Sequence, residues 1–154
     1  MDNSKIKSAL QDLIYRLQDA EKGMTEIKLA CSNVPLKKWL EKYANERHNM
    51  HRTLEGYIAE LGGDAEVDTT FLGDLHRIFI DIKINNVSYE NEFDAIVTEI
   101  DRGASTLISD YEKVLSDVPM PATYVSTLVK QKSQIQAELE SLKALKKEFN
   151  SIPA

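Results

Sequence analysis

The sequence contains a single cysteine, Cys31, so no disulfide can form within the chain and no cluster of thiolates can bind a metal. It has only six glycines and four prolines among 154 residues, which predicts long regular elements. No apolar run approaches the roughly 20 residues that a membrane-spanning helix needs. The first residues also lack the charged-then-apolar pattern of a secretory signal. These absences predict a cytoplasmic protein, with Cys31 as a small core residue at the end of an apolar stripe.

Negative charge exceeds positive charge, with a formal net charge of -6 at pH 7. Such a chain is repelled by nucleic-acid backbones and by anionic lipid surfaces. The basic stretches Lys37-Lys38 and Lys146-Lys147 are short and lie beside glutamates, as on a solvated helix face. The sequence therefore predicts no nucleic-acid partner and no membrane partner. It also lacks a glycine-rich phosphate loop, a nucleophile elbow and a catalytic triad, so we expect no catalytic residues and favour a protein that is not an enzyme.

Apolar residues recur at intervals of three, four or seven along four long segments, which is typical of amphipathic helices. These segments predict helices at about residues 4–31, 36–61, 88–116 and 121–150, with a shorter crossover helix at about 70–84. The long connection predicts that the second and third helices run parallel, because antiparallel neighbours need only a tight turn. We therefore expect an all-α fold that forms one domain over residues 1–154. Its predicted architecture is an antiparallel four-helix bundle, in which a long crossover joins two helical hairpins.

The turns within the two predicted hairpins resemble each other. Residues 32–36 and 116–120 share the pattern Ser-(Asn/Asp)-Val-Pro-apolar, and each stretch separates two long amphipathic segments. This repeated pattern favours a bundle that arose by duplication of one helical hairpin. The requirements of such a turn could also select the same residue types independently.

A bundle with this connectivity can hold two metal ions bridged by carboxylates. That site needs inward-facing glutamates and a Glu-x-x-His pair on each of two helices. None of the three histidines has a glutamate three positions before it, where the sequence has Asn45, His48 and Gly73. The sequence therefore predicts no standard dimetal centre.

Polar residues interrupt the apolar stripes near mid-bundle, at Glu21, Glu46, Arg47 and Gln131. A structural interpretation is favoured, in which such charges pair, as Glu21 would with Arg47, or reach the edge of the bundle. The alternative is a degenerate cation site in which Glu21, Glu46 and Glu138 bind iron or manganese weakly. We expect no cofactor and no metal ligands under the favoured interpretation, and those three glutamates under the alternative.

The histidines allow a second kind of metal site. His48 and His51 are three residues apart, so both could contact one cation on a helix surface, and Glu55 follows one turn later. They lie off the apolar stripe without an evident third ligand, so a solvated helix face is the favoured interpretation. His76 and Arg77, in the predicted crossover, are expected to cap or cross-link the side of the bundle.

Several short motifs are spread along most of the chain, namely Gly23-Met24, Tyr43-Ala44, Glu46-Arg47, Leu61-Gly62-Gly63, Leu75-His76-Arg77 and Arg102-Gly103. With these motifs the chain resembles a bacterial domain-of-unknown-function family of the ferritin-like superfamily, whose members are stand-alone four-helix bundles. Leu-Gly-Gly followed by Leu-His-Arg is the most specific part of the resemblance. The resemblance implies a ferritin-like fold and no established activity.

The chain also departs from the pattern of that family. The family continues Arg-Gly with an acidic pair, where this chain has Ala104-Ser105, and it places a histidine late in the last helix, where this chain has Leu139. The resemblance therefore implies that any metal ligands at those positions have been lost here.

Two functions of different classes follow. The favoured one is a non-enzymatic helical bundle in a housekeeping or stress setting, which acts through self-association or protein–protein contact. Tyr15, Leu29 and Tyr89 fall outside the main stripes and are candidates for an apolar patch, so a homodimer or an unknown protein partner is expected. The alternative is a ferritin-like protein that binds iron or manganese at the degenerate glutamate site.

Overall fold

The structure is a computed structural model that describes residues 1–66, 77, 80 and 89–151. The described residues form four long helices, α1 (Asn3–Ala30), α2 (Val34–Glu60), α3 (Tyr89–Asp117) and α4 (Ala122–Asn150). Each helix begins and ends within two residues of its predicted bounds. No strand occurs in the described part of the chain.

The predicted crossover helix at 70–84 lies outside the described residues, except for Arg77 and Ile80, which are both helical. Among the described helices, none is long and apolar enough to cross a membrane.

The ends of α2 show why the helix begins and stops where it does. Asn33 precedes the helix, and its Oδ1 accepts a hydrogen bond from the backbone N–H of Leu36 at 2.9 Å. This bond satisfies one of the free N–H groups in the first turn. At the other end, Gly62 has a φ of 80°, and the Gly63 N–H donates to the Ile58 carbonyl at 3.0 Å. Glycine adopts this left-handed conformation without the steric cost that a side chain would add.

Contacts between the helices establish their directions. Ser32, in the turn before α2, donates its backbone N–H to Glu92 Oε1, near the start of α3, at 2.6 Å. The helices α2 and α3 therefore begin at the same end of the bundle and run parallel, which confirms the prediction. The same contact places the end of α1 beside the start of α3. Arg16 Nε, in the middle of α1, lies 3.5 Å from Asp110 Oδ2, near the end of α3, so these two helices are antiparallel. Around the bundle the order is α1, α2, α4, α3.

After α2 the chain turns back along α1. Gln11 and Glu66 are joined by two hydrogen bonds, of 2.7 Å from Glu66 N and of 3.1 Å from Gln11 Nε2. The Tyr15 hydroxyl donates to the Glu66 carboxylate. Tyr15 is therefore half-buried and engaged within the chain, and it does not form part of an exposed apolar patch.

One apolar core runs through the bundle, built from the predicted stripes of each helix. Its fully buried members include Leu10, Leu17, Ile27, Leu40, Leu54, Ile96 and Leu128. Cys31 belongs to this core, as predicted, with 7% of its surface exposed. Burial raises the pKa of its thiol to about 11, so the sulfur stays protonated and is a poor nucleophile at neutral pH.

Candidate metal-binding site

The polar residues at the middle of the bundle form a buried pair. Arg47 of α2 and Glu138 of α4 are 1% and 3% exposed, and Arg47 Nη1 lies 2.5 Å from Glu138 Oε2. Burial raises the pKa of Glu138 to about 8, because desolvation outweighs the opposite effect of the Arg47 guanidinium. The half-buried Glu46 also raises the pKa of Glu138. These groups connect α2 to α4 through the core.

A second buried polar contact joins α2, α3 and α4. The Tyr111 hydroxyl donates to Gln131 Oε1 at 2.5 Å, and Gln131 Nε2 donates to the Met50 carbonyl at 3.2 Å. Burial also raises the pKa of the Tyr111 phenol. Gln131, a predicted polar core position, is 5% exposed and satisfies both ends of its amide within the bundle.

A carboxylate-bridged pair of metal ions does not fit this interior. Glu138 is a buried carboxyl group, but the positively charged Arg47 lies against it, in the position that a cation would need. Among the described residues, no histidine or cysteine joins Glu46 and Glu138 within metal-binding distance. Glu21, the third residue of the predicted degenerate site, lies in a different cluster.

That cluster, which we call the lateral site, consists of Glu21 on α1 with His48 and His51 on α2. Glu21 Oε1 lies 2.7 Å from His51 Nε2, and Glu21 Oε2 lies 2.9 Å from His48 Nδ1. The two imidazole rings meet edge to face, with their centroids 5.0 Å apart. One donor atom from each residue lies within 4.8 Å of the others, which is close enough for all three to bind one ion.

The lateral site spans the boundary between the core and the solvent. The His51 side chain is 7% exposed, whereas the side chains of Glu21 and His48 are 29% and 50% exposed. His51 Nδ1, on the opposite edge of the ring from Glu21, lies 2.6 Å from Glu55 Oε2. The interpretation of the two histidines as a solvated face was therefore wrong for His51, which is held between two carboxylates.

The predicted ion pair between Glu21 and Arg47 is also wrong. Arg47 points across the bundle to Glu138, and Glu21 contacts the two histidines instead. Consecutive residues of a helix point about 100° apart, so Arg47 and His48 serve different neighbours. Sequence reasoning identified His48 and His51 as a pair but missed their third donor, because that donor comes from another helix.

The other positions that the sequence analysis singled out do not contribute metal-binding side chains in the described part of the structure. Ala104 and Leu139, which replace the polar residues of the family pattern, are 8% and 9% exposed and belong to the apolar core. Arg77 is exposed. His76 lies outside the described residues, so its role in cross-linking the bundle stays a prediction.

The fold is that of the ferritin-like four-helix bundles, as the resemblance in the sequence predicted. A dodecameric thioferritin, the bacterioferritin-related protein of Bacteroides fragilis, superposes with a TM-score of 0.71 over 97% of this chain and 89% of that chain. The two sequences are 12% identical, so the likeness establishes the fold alone. The chain belongs to the family described as "Domain of unknown function (DUF2383)", whose sequence profile matches residues 5–117. No curated protein matches the sequence.

Proposed function

We propose that this protein binds one divalent transition-metal ion at the lateral site, through Glu21, His48 and His51. The observation that supports the proposal is the convergence of three donor atoms from two helices within 4.8 Å. Two imidazoles and one carboxylate suit borderline ions such as Zn²⁺ and Fe²⁺, whereas Mg²⁺ and Mn²⁺ favour oxygen ligands. The proposal keeps Glu21 from the predicted degenerate site and gives no metal-binding role to Glu46 or Glu138.

The position of the lateral site also favours binding. His48 and His51 lie on successive turns of α2, and the rigid packing of α2 on α1 brings Glu21 against both rings. A cation placed among the donors would be bound by groups that already face one another, so little conformational entropy is lost. The proposed metal ion would therefore bind on the outer side of the hairpin formed by α1 and α2.

Titration calorimetry with Zn²⁺ tests the proposal. We expect one equivalent to bind, and we expect His51→Ala or Glu21→Ala to weaken binding by about 100-fold, because each change removes a ligand from a three-ligand site. Mn²⁺ should bind more weakly than Zn²⁺. Asn49→Ala, an exposed change beside His48, is the matched control and should bind as the wild type does.

Two results would contradict this assignment. One is the absence of Zn²⁺ binding by the folded wild-type protein. The other is full binding by His51→Ala together with loss of binding in Glu46→Gln, which would move the site to the interior.

We also propose that the protein self-associates through the exposed side of α4. Val125 and Val129 are 36% and 46% exposed, and their spacing of four residues places them on one face of the helix. The structural neighbour from Bacteroides fragilis is a dodecamer. Of the residues predicted for an apolar patch, Leu29 is 62% exposed, and the side chain of Tyr89 is outside the described part of the structure.

Light scattering coupled to size-exclusion chromatography tests this second proposal. We expect a mass above that of one chain for the wild type and a shift toward the monomer for Val129→Lys, because a buried lysine in an interface must lose its hydration. Lys130→Ala, an exposed neighbour, should leave the mass unchanged. A monomeric wild-type protein over the concentration range studied would rule out self-association.

A further inference from the structure

The two nitrogens of His51 face different carboxylates. Nε2 points toward Glu21 Oε1 at 2.7 Å, and Nδ1 points toward Glu55 Oε2 at 2.6 Å. The two nitrogens lie on opposite edges of one rigid ring, so an ion bound at Nε2 cannot reach the carboxylate at Nδ1. Glu55 is therefore not a fourth ligand of the lateral site.

Glu55 instead fixes the orientation of the histidine. When a metal ion takes the place of the hydrogen on Nε2, the remaining ring hydrogen lies on Nδ1, so His51 donates to Glu55 and the lone pair of Nε2 binds the ion. A carboxylate in this relation to a metal-binding histidine sets its tautomer and its ring angle. The Glu55 side chain is 16% exposed and the His51 side chain is 7% exposed, so this hydrogen bond is well shielded from water.

The lateral site supplies fewer ligands than a metal ion takes, so one coordination position of a bound ion would be left for another molecule. Zinc and similar ions take four or more ligands, and structural sites normally supply all four from the protein. Among the described residues, the lateral site supplies three. The more exposed ligands are His48 and Glu21, at 50% and 29%, so a small molecule from solution could reach an ion bound at the lateral site.

The local charge favours a negatively charged fourth ligand. A divalent ion with one bound carboxylate, Glu21, keeps a net positive charge. Arg52, one turn beyond His48, has a side chain that is 67% exposed, and its Nη1 lies 3.7 Å from Glu55 Oε1, so it offsets the charge of that carboxylate. A divalent ion together with Glu21, Glu55 and Arg52 therefore keeps a net positive charge, which attracts a small anion.

We propose that the lateral site is an open metal centre, in which Glu55 orients His51 and a small anion from solution occupies the fourth coordination position. This inference rests on the proposed metal binding. It assigns Glu55 the role of a positioning residue, because it acts on the ion only through His51.

Cobalt substitution of the full chain tests the inference, because Co²⁺ in a site with nitrogen ligands reports its coordination through visible absorption. We expect azide to change the spectrum of the cobalt-loaded wild-type protein in a saturable manner. We expect Glu55→Gln to weaken cobalt binding by about 10-fold and to alter the spectrum, as the loss of a carboxylate partner of a ligating histidine does elsewhere. Glu41→Gln, an exposed change on the same helix, is the matched control and should alter neither.

The possible failures are distinguishable. If the folded wild-type protein takes up no cobalt, the proposed metal binding itself is wrong. If cobalt binds and depends on His51, but azide leaves the spectrum unchanged, the open position is overturned and the metal site stands. If Glu55→Gln matches the wild type in both affinity and spectrum, Glu55 does not position His51.

Discussion

Replacing Glu138 by leucine should lower the free energy of unfolding by roughly 3–5 kcal/mol, because it leaves the buried Arg47 guanidinium without the carboxyl oxygen that it contacts, whether that carboxyl group is protonated or ionised. Arginine cannot lose its proton in a protein, so it cannot escape this cost by becoming neutral. Arg47→Leu should cost less, roughly 1–3 kcal/mol, because the remaining carboxyl group can hold a proton. The double variant Arg47→Leu/Glu138→Leu should recover wild-type stability or exceed it.

Urea unfolding of the four proteins, followed by circular dichroism, measures these differences. Glu140→Leu on the same helix, an exposed position, is the control and should change stability by less than about 0.5 kcal/mol. Arg47 Nε has no hydrogen-bond partner among the described residues, so the wild-type pair is itself incompletely satisfied. A double variant that is no more stable than Glu138→Leu would show that the buried pair contributes more than a well-packed apolar contact does.

The four helices could be predicted from the sequence because their signal is local. Leu10, Leu54 and Leu128 stand on apolar stripes with helical spacing, and all three are fully buried. The length of the connection between α2 and α3 was enough to predict that these helices run parallel. Both inferences depend on spacing along the chain, which the sequence contains directly.

The partners of the charged residues could not be predicted in the same way. To predict whether Glu21 pairs with Arg47, one must know how α2 is rotated about its own axis to within one residue. The step from Arg47 to His48 already changes the direction of the side chain by about 100°. Side-chain packing between helices determines that rotation, and periodicity does not resolve it. The sequence therefore identified α2 as the helix that Glu21 contacts, but it assigned Glu21 the wrong residue of that helix.

For Glu138 the sequence did carry a usable signal. Ile135, Glu138 and Leu142 follow one another at intervals of three and four, so the glutamate stands on the apolar stripe of α4. Its burial, at 3% exposure, follows from that placement. What the sequence could not supply was the identity of the group that faces it across the bundle.

The buried Arg47–Glu138 pair and the lateral site lie on different sides of α2. Arg47 faces inward and occupies the interior with a fixed positive charge, which disfavours a second cation there. His48 and His51 face Glu21 of α1, and His48 is half-exposed at the edge of the bundle. The proposed metal binding and the stability of the core should therefore be separable, and substitutions at one cluster should leave the other intact.

The buried carboxyl group of Glu138 should also make stability depend on pH. Burial raises its pKa from 4.5 to about 8, so the folded state holds this proton more tightly than the unfolded state does. The resulting stabilisation is fully present below pH 4.5 and is lost as the pH rises to about 8, by as much as ~5 kcal/mol in total.

Glu138→Gln keeps a neutral side chain of similar shape at every pH, and other titrating groups affect both proteins alike. The unfolding free energy of the wild type minus that of Glu138→Gln, measured with a chelator present, should therefore decrease between about pH 5 and about pH 8.5. A difference that stays constant or increases over this range would mean that Glu138 is already ionised and that Arg47 outweighs its burial.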